Sequence, residues 1–440
     1  VLWIRVLTRI FGSTTFAVSA LLAAFMAGLG CGSYLASRYL PRVRKPLRWF
    51  GACEIGIGLY ALALNGLLPS IEGAFLAAVS RWGLAAQVVL SFLLLVPPTT
   101  LMGASLPLLV KQTIASMTSM GLRTGLLYAI NTLGAAAGCF AAGFYAVEHW
   151  GMKATTEMAA LVNVLVGLGG IGLSFLLLEA SYPDGEQEEV PSEVSPGALP
   201  WAIAAFTISG FAAIGLEVVW TRLFTLVLKG YTYSFSAMLT VVLLGIALGS
   251  LGFARRADRS RDLECLLGVL QMAIGISAVA LTSLLVFAEA SQVYFLYAFG
   301  YDWFGYTMMK FLVSLFILGI PTFLFGAQFP VVSRIATETA RRAGDRVATL
   351  YAANVAGSIA GALLTGFALI PLLGSHGSLR LLAAAMLISG ALLIMRREIS
   401  PASSRSLVAV GGVAIFIGVL LATPVDLSRR IHESWLSPGE

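Results

Sequence analysis

Two carboxylates, Glu54 and Glu217, lie inside long apolar runs of this chain. An ionisable side chain is costly in such surroundings and as a rule faces an interior cavity or a polar partner. Glu54 comes six residues after Arg48 in "RWFGACEIG", about 9 Å along a helix rising 1.5 Å per residue. Glu217 stands near the far end of its run, in "GLEVVWTRLF", with Arg222 five residues on. Five residues turn a helix by about 140°, so these two do not share a face. Carboxylates where water is scarce suit either a hydrogen bond between helices or a bound cation, and a cation with a methylene chain would also want aromatic faces. Tyr128 and Tyr351 are the aromatic candidates, and Asn131, Asn354 and Gln271 the neutral polar ones. For the tyrosines and asparagines, hydrogen bonding between helices is the plainer reading. Lys310 is expected to anchor at the membrane interface, and Arg5 and Arg222 to snorkel to it.

Other chemistry finds no support. The four cysteines, Cys31, Cys53, Cys139 and Cys265, lie in or beside apolar segments without metal-ligand spacing, as small buried hydrophobes do. The three histidines form no cluster. Residues 167–172, "GLGGIG", fit a dinucleotide fingerprint by spacing alone. They sit within an apolar span with no strand before them, so a phosphate-binding turn is not expected. The sequence therefore contains no catalytic motif and implies neither metal nor cofactor.

The elements that must position the polar residues are membrane helices. The chain has 440 residues, 58% hydrophobic and 11% charged, well outside the balance of a soluble domain. Apolar runs near 20 residues recur throughout, enough to cross a hydrocarbon core of about 30 Å. The net charge of +6 then reads as basic loops on the cytoplasmic side rather than as a nucleic-acid footprint.

The chain also repeats itself. At an offset of 217, Trp3, Arg5, Thr8, Thr15 and Ser19 fall on Trp220, Arg222, Thr225, Thr232 and Ser236, and Glu54 falls on Gln271. At an offset of 223, "PTTLMGASLP" (98–107) matches "PTFLFGAQFP" (321–330), and Tyr128, Asn131, Gly134 and Gly138 fall on Tyr351, Asn354, Gly357 and Gly361. The loop between these blocks has gained six residues. Spans are expected near 14–37, 47–69, 84–108, 125–147 and 154–178 in the first repeat. The second repeat has them near 201–220, 232–254, 262–288, 305–328, 349–372 and 378–395, and a further run follows at 406–424. The division is thus a first repeat at 1–178 with its first helix represented by a stub, an acidic linker at 179–200, a second repeat at 201–397, and a terminal helix and tail at 398–440. Six spans per complete repeat make the repeats parallel. Their basic loops, Arg38–Arg48 and Arg255–Arg261 among them, are expected on one, cytoplasmic, side. The pairs Gly28/Gly32, Gly245/Gly249, Gly134/Gly138 and Gly357/Gly361 mark close helix packing.

An all-α polytopic bundle of two parallel six-helix repeats plus one terminal helix resembles the major facilitator architecture. The segments "SGFAAIGLEVVWTRLF", "LLGIALGS" and "LYAANVAGSIAGALLTGF" are similar, more closely, to the membrane region of bacterial spermidine synthase-like fusion proteins. That resemblance implies a module of the bacterial cytoplasmic membrane, ahead of a soluble aminopropyltransferase-like domain, that anchors this domain and passes polyamines or related cations. Members of that family begin with a helix ending in Glu–x–x–Trp, so a Glu is expected directly before Val1. A free-standing secondary transporter and a non-enzymatic scaffold subunit remain the alternatives. The bilayer is the one partner common to all three.

Overall fold

A computed structural model describes residues 15–113, 120–176, 197–228, 231–260, 262–300, 302–338, 343–396 and 402–423. The stub at 1–14 and most of the acidic linker lie outside these residues. The first repeat contributes α1 (Thr15–Tyr39), α2 (Pro46–Trp82), α3 (Leu84–Thr113), α4 (Met120–Ala141) and α5 (Val147–Leu176). The second contributes α6 (Ala198–Val227), α7 (Tyr231–Arg259), α8 (Leu263–Ser283), the short α9 (Ala288–Phe299), α10 (Trp303–Glu338), α11 (Ala343–Leu364) and α12 (Ile370–Arg396), and α13 (Ala402–Ala422) follows. The described residues are all-α, and nine helical stretches among them are long and apolar enough to cross a membrane, two of them running through a kink.

Those two kinks are the same kink twice. A five-residue π turn at Ala142–Ala146 separates α4 from α5, and another at Thr365–Leu369 separates α11 from α12. Each is followed by a glycine in the left-handed region, Gly151 (φ 75°) and Gly374 (φ 69°), where a side chain would be strained. Gly83 (φ 53°) closes α2 and Gly300 (φ 95°) closes α9 at the other offset. The six inserted residues therefore lie just beyond Gly300, before or within the start of α10. One difference separates the repeats here. The second-repeat helix breaks into a 3-10 turn at Leu284–Phe287, whereas α2 runs unbroken through Pro69 to Trp82, well beyond the expected end at 69.

Small residues set the packing within each repeat. A Cβ on Gly249 would run into the backbone of Phe323 and one on Gly32 into Thr100, so α1 lies on α3 as α7 lies on α10. Gly51 meets Gly167 between α2 and α5, and Gly268 meets Gly390 between α8 and α12. The fingerprint-like glycines at 167–172 thus serve, at Gly167, a helix crossing. With no hydrophobic force between helices in lipid, such close backbone approach supplies the contact energy. The terminal α13 packs on α8 and α12.

The chain direction is fixed by these contacts. Ser19 and Gly30 on α1 meet Gly366 and Val355 respectively, so α1 runs antiparallel to α11. Asn354, Gly357 and Gly361 on α11 meet Phe206, Thr207 and Phe211 on α6 in ascending order, so those two helices are parallel. Accordingly α1 and α7 point the same way, and their basic loops share one end of the bundle. At that end Lys111 Nζ donates to the carbonyls of Leu40 (2.6 Å) and Val43 (2.7 Å), tying α3 to the loop between α1 and α2. Lys111→Met removes two charge-assisted bonds. It is expected to speed tryptic cleavage at Arg42–Lys45 several-fold, read by limited proteolysis of the purified protein.

Candidate functional site

The seam between the repeats is built twice, and the candidate residues divide between that seam and the helices flanking it. Helix α4 packs on α7, and α11 on α1. At the end remote from the basic loops, Gly143 sits on Ser236, where an added Cβ would lie 2.5 Å from the serine Cβ. Gly366 sits on Ser19 in the same way, again 2.5 Å from the serine Cβ. These are the same pair of positions in the two repeats. Beside them Phe144 stacks on Tyr233 with centroids 6.0 Å apart, and Phe367 faces Phe16 at 5.3 Å, once more at equivalent positions. Cys139, expected to be a small buried hydrophobe, is buried here with its Sγ 3.6 Å from the carbonyl of Ser236, whereas Cys31 is exposed.

One of the two seams carries charged groups beside its aromatic pair. Tyr233 donates to Glu148 at 3.4 Å, and Lys310 Nζ stands 5.7 Å from the Tyr233 ring. The expected interface anchor, Lys310, is instead only 8% exposed. Its helix turns it toward the seam, where an aromatic face meets the cation. Sequence spacing could not show this, because an anchor and an inward lysine look alike about two turns from a helix end.

Toward the basic end stand the two tyrosines. Tyr128 and Tyr351 come from α4 and α11, each eight residues from the start of its helix. Tyr128 stacks on Phe329 at 4.5 Å, and Tyr351 shares a side-chain hydrogen bond with Ser33 of α1. Repeat symmetry thus places the aromatic candidates at the same depth on two helices. Phe329 and Ser33 carry no signal in the sequence, because neither is an unusual residue in an apolar helix.

The amides and one acid do something different. Gln271 Nε2 donates to the carbonyl of Ala205 at 2.8 Å and lies 3.4 Å from Gln328 Oε1. Asn354 Nδ2 donates to the carbonyl of Phe206 at 2.8 Å, and a Cβ on Gly210 would collide with Asn354. Two helices therefore grip α6 at consecutive carbonyls. In the first repeat Glu54 stands for Gln271 and Ser105 for Gln328, and Ser105 Oγ donates to Glu54 Oε1 at 2.8 Å. Asn131 stands for Asn354 and is exposed.

Glu217 is buried at 8% exposure on α6, and Arg222 is exposed, as their difference in helical phase requires. Glu217 lies 19 residues into α6 and Glu54 eight residues into α2, both counted from the basic end, which is about 28 Å and about 12 Å of rise. The two carboxylates thus lie at different depths. Of the seven candidate residues, the structure stacks Tyr128 on Phe329, gives Gln271, Asn354 and Glu54 hydrogen-bonding roles between helices, and leaves Glu217 as the buried acid of α6. Among the described residues no group of three His, Cys, Asp or Glu side chains is arranged to hold a metal ion.

No protein-family model and no curated protein matches the chain. The solved structure of the human organic anion transporter MFSD10 (TETRAN) overlays 89% of this chain and 88% of its own at a TM-score of 0.48 and 14% sequence identity.

Proposed function

We propose that this bundle is a carrier-type membrane module that passes a small solute between its two repeats. The observation that carries this reading is the duplicated seam, with the same small-residue and aromatic contacts on α4/α7 and α11/α1. Two seams of like construction can part at one end while holding at the other, which is the motion alternating access requires. Tyr128, Tyr351 and Phe329 form the barrier at the basic end, and the Phe16–Phe367 and Phe144–Tyr233 pairs form the barrier at the other.

The solute class we propose is a small organic dication of the polyamine type. It is supported by the resemblance to spermidine synthase-like membrane regions and by Glu217, a carboxylate in the buried interior of α6. Attachment to a soluble aminopropyltransferase-like domain belongs to the same reading, as does an orientation with the basic loops in the bacterial cytoplasm. Glu54 takes a structural part, because Ser105 occupies one of its oxygens.

Binding of spermidine or putrescine to the purified protein tests the assignment. Glu217→Gln is expected to weaken a dication about tenfold, a difference of about 1.4 kcal/mol, while a neutral solute of similar size is held as before. Glu54→Gln is expected to leave dication binding near that of the parent, since Gln271 already fills the equivalent position. Equal weakening by both variants would contradict the division of roles. No binding by the parent would favour a scaffold, a reading to which the polar grips on α6 lend support.

A further inference from the structure

We propose that Glu54 is a proton-exchange site whose state is passed through Ser105 and Ser33 to Tyr351, at the basic-end barrier. The link to solute passage rests on the carrier reading above, whereas the proton site does not. Ser105 Oγ of α3 lies 2.8 Å from Glu54 Oε1 and 3.2 Å from the carbonyl of Leu101. A hydroxyl has one proton to donate, so it serves one of these acceptors at a time. With Glu54 ionised, that proton goes to the carboxylate. With Glu54 protonated, its own O–H donates to Ser105 Oγ, and the serine proton turns to Leu101. The same hydroxyl thus satisfies either state. The proton is exchanged with water at the basic end, about 12 Å of helix away.

The two states differ in the shape of α3. A serine bonded back to the carbonyl four residues earlier bends its helix, so proton uptake puts that bend into the turn at 101–105. The turn has no slack. A Cβ on Gly103 would run into the backbone of Leu29 on α1, and the Gly103 carbonyl accepts from Ser33 Oγ of α1 at 2.8 Å. Ser33 spends its proton there, so Tyr351 of α11 is the donor in the hydrogen bond those two share. A change in the turn at Ser105 therefore reaches the seam through contiguous contacts, from α2 by way of α3 and α1 to α11.

The second repeat lacks the means to do this. There Gln271 and Gln328 fill the places of Glu54 and Ser105, and a carboxamide takes up no proton. Ser250, the counterpart of Ser33, is fully buried, and its Oγ has no hydrogen-bond partner among the described residues. A purely structural bond between these helices is thus met by two amides, and the acid with its hydroxyl adds the exchange of a proton. Of the titratable groups around Glu54, Cys53 stands beside it on α2, and Arg48 is turned to Ser174 and the Phe175 ring on α5. On α3 the titratable side chain is Lys111, held by the carbonyls of Leu40 and Val43. Residues 160–171 of α5, which pack on this part of α2, contain none. Among the described residues no cation is paired with Glu54 to fix its charge.

Infrared difference spectra of the full-length protein, taken between alkaline and acid buffer, test the site. The carbonyl stretch of a protonated carboxylic acid should appear on acidification and be missing from Glu54→Gln. Identical difference spectra in the two proteins would overturn the proposal, whatever the bundle passes. Spermidine exchange across vesicles of known orientation tests the link. Changing the pH on the side of the basic loops should alter the parent's rate several-fold, and Glu54→Gln should lose that response. Ser33→Ala should lose it too while keeping the infrared band, because only the connection to Tyr351 is cut. A response that survives in Ser33→Ala, or that follows the pH of the opposite side, would overturn the link. No exchange by the parent at any pH would sink the carrier reading instead, and the infrared band would still decide the proton site.

Discussion

Trp220→Ala is expected to cost about 3–5 kcal/mol, the range for removing a large buried aromatic side chain. Trp220 is 1% exposed, and its indole N–H donates to Thr282, which is fully buried. In lipid the loss is not one of hydrophobic transfer. It is the loss of packing contacts around a cavity and of a hydrogen bond whose remaining partner has no water to turn to. Trp220→Phe keeps most of the volume and should cost about 1 kcal/mol, the net worth of one such bond. Thermal or denaturant unfolding in a fixed detergent reads both. Equal, small costs for the two would mean that the bundle closes over the lost indole.

Gly366→Leu acts on the seam itself. Its Cβ would overlap the side chain of Ser19, and the larger side chain would drive α11 off α1. Overpacking of this kind costs about 1–3 kcal/mol. Gly143→Leu forces α4 off α7 by the same overlap with Ser236 and should cost a similar amount. The two glycines press on different serines in different seams, so their costs should add in the double variant. Measured stabilities that fail to add would show that the seams move as one rigid body. Additive costs would show that each seam can loosen on its own, which a carrier needs.

Much of the fold is legible in the sequence because the repeat is written in rare residues. Trp, Arg, Pro, Tyr and Asn recurring in order at two offsets fix the pairing of helices, and the contacts of Gly28, Gly245, Gly357 and their partners follow from it. The equal depth of Tyr128 and Tyr351 in their helices follows as well, since they are equivalent positions on two parallel repeats. The direction of a side chain is harder to read. An inward Lys310 and an outward anchor have the same sequence, and a glutamate bonded to a serine reads no differently from one facing a cavity until Ser105 is seen beside Glu54. The length of α2 is hidden for a related reason. Pro69 looks like a stop, but its missing donor and its ring are accommodated within the helix, and the break falls at Gly83 instead.

Solute passage through a seam that opens at either end can be tested without knowing the solute. Tyr351→Cys, in a protein whose native cysteines have been replaced, reports on the basic-end barrier in sealed vesicles when a membrane-impermeant maleimide is applied to one side or the other. A carrier should label from both sides, because each end opens in turn. Joining Ser19→Cys to Gly366→Cys before labelling locks the remote end of one seam, and labelling should then persist only from the side of the basic loops. Labelling from one side alone in the unlocked protein, unchanged by the lock, would contradict a moving seam and leave the bundle a static scaffold.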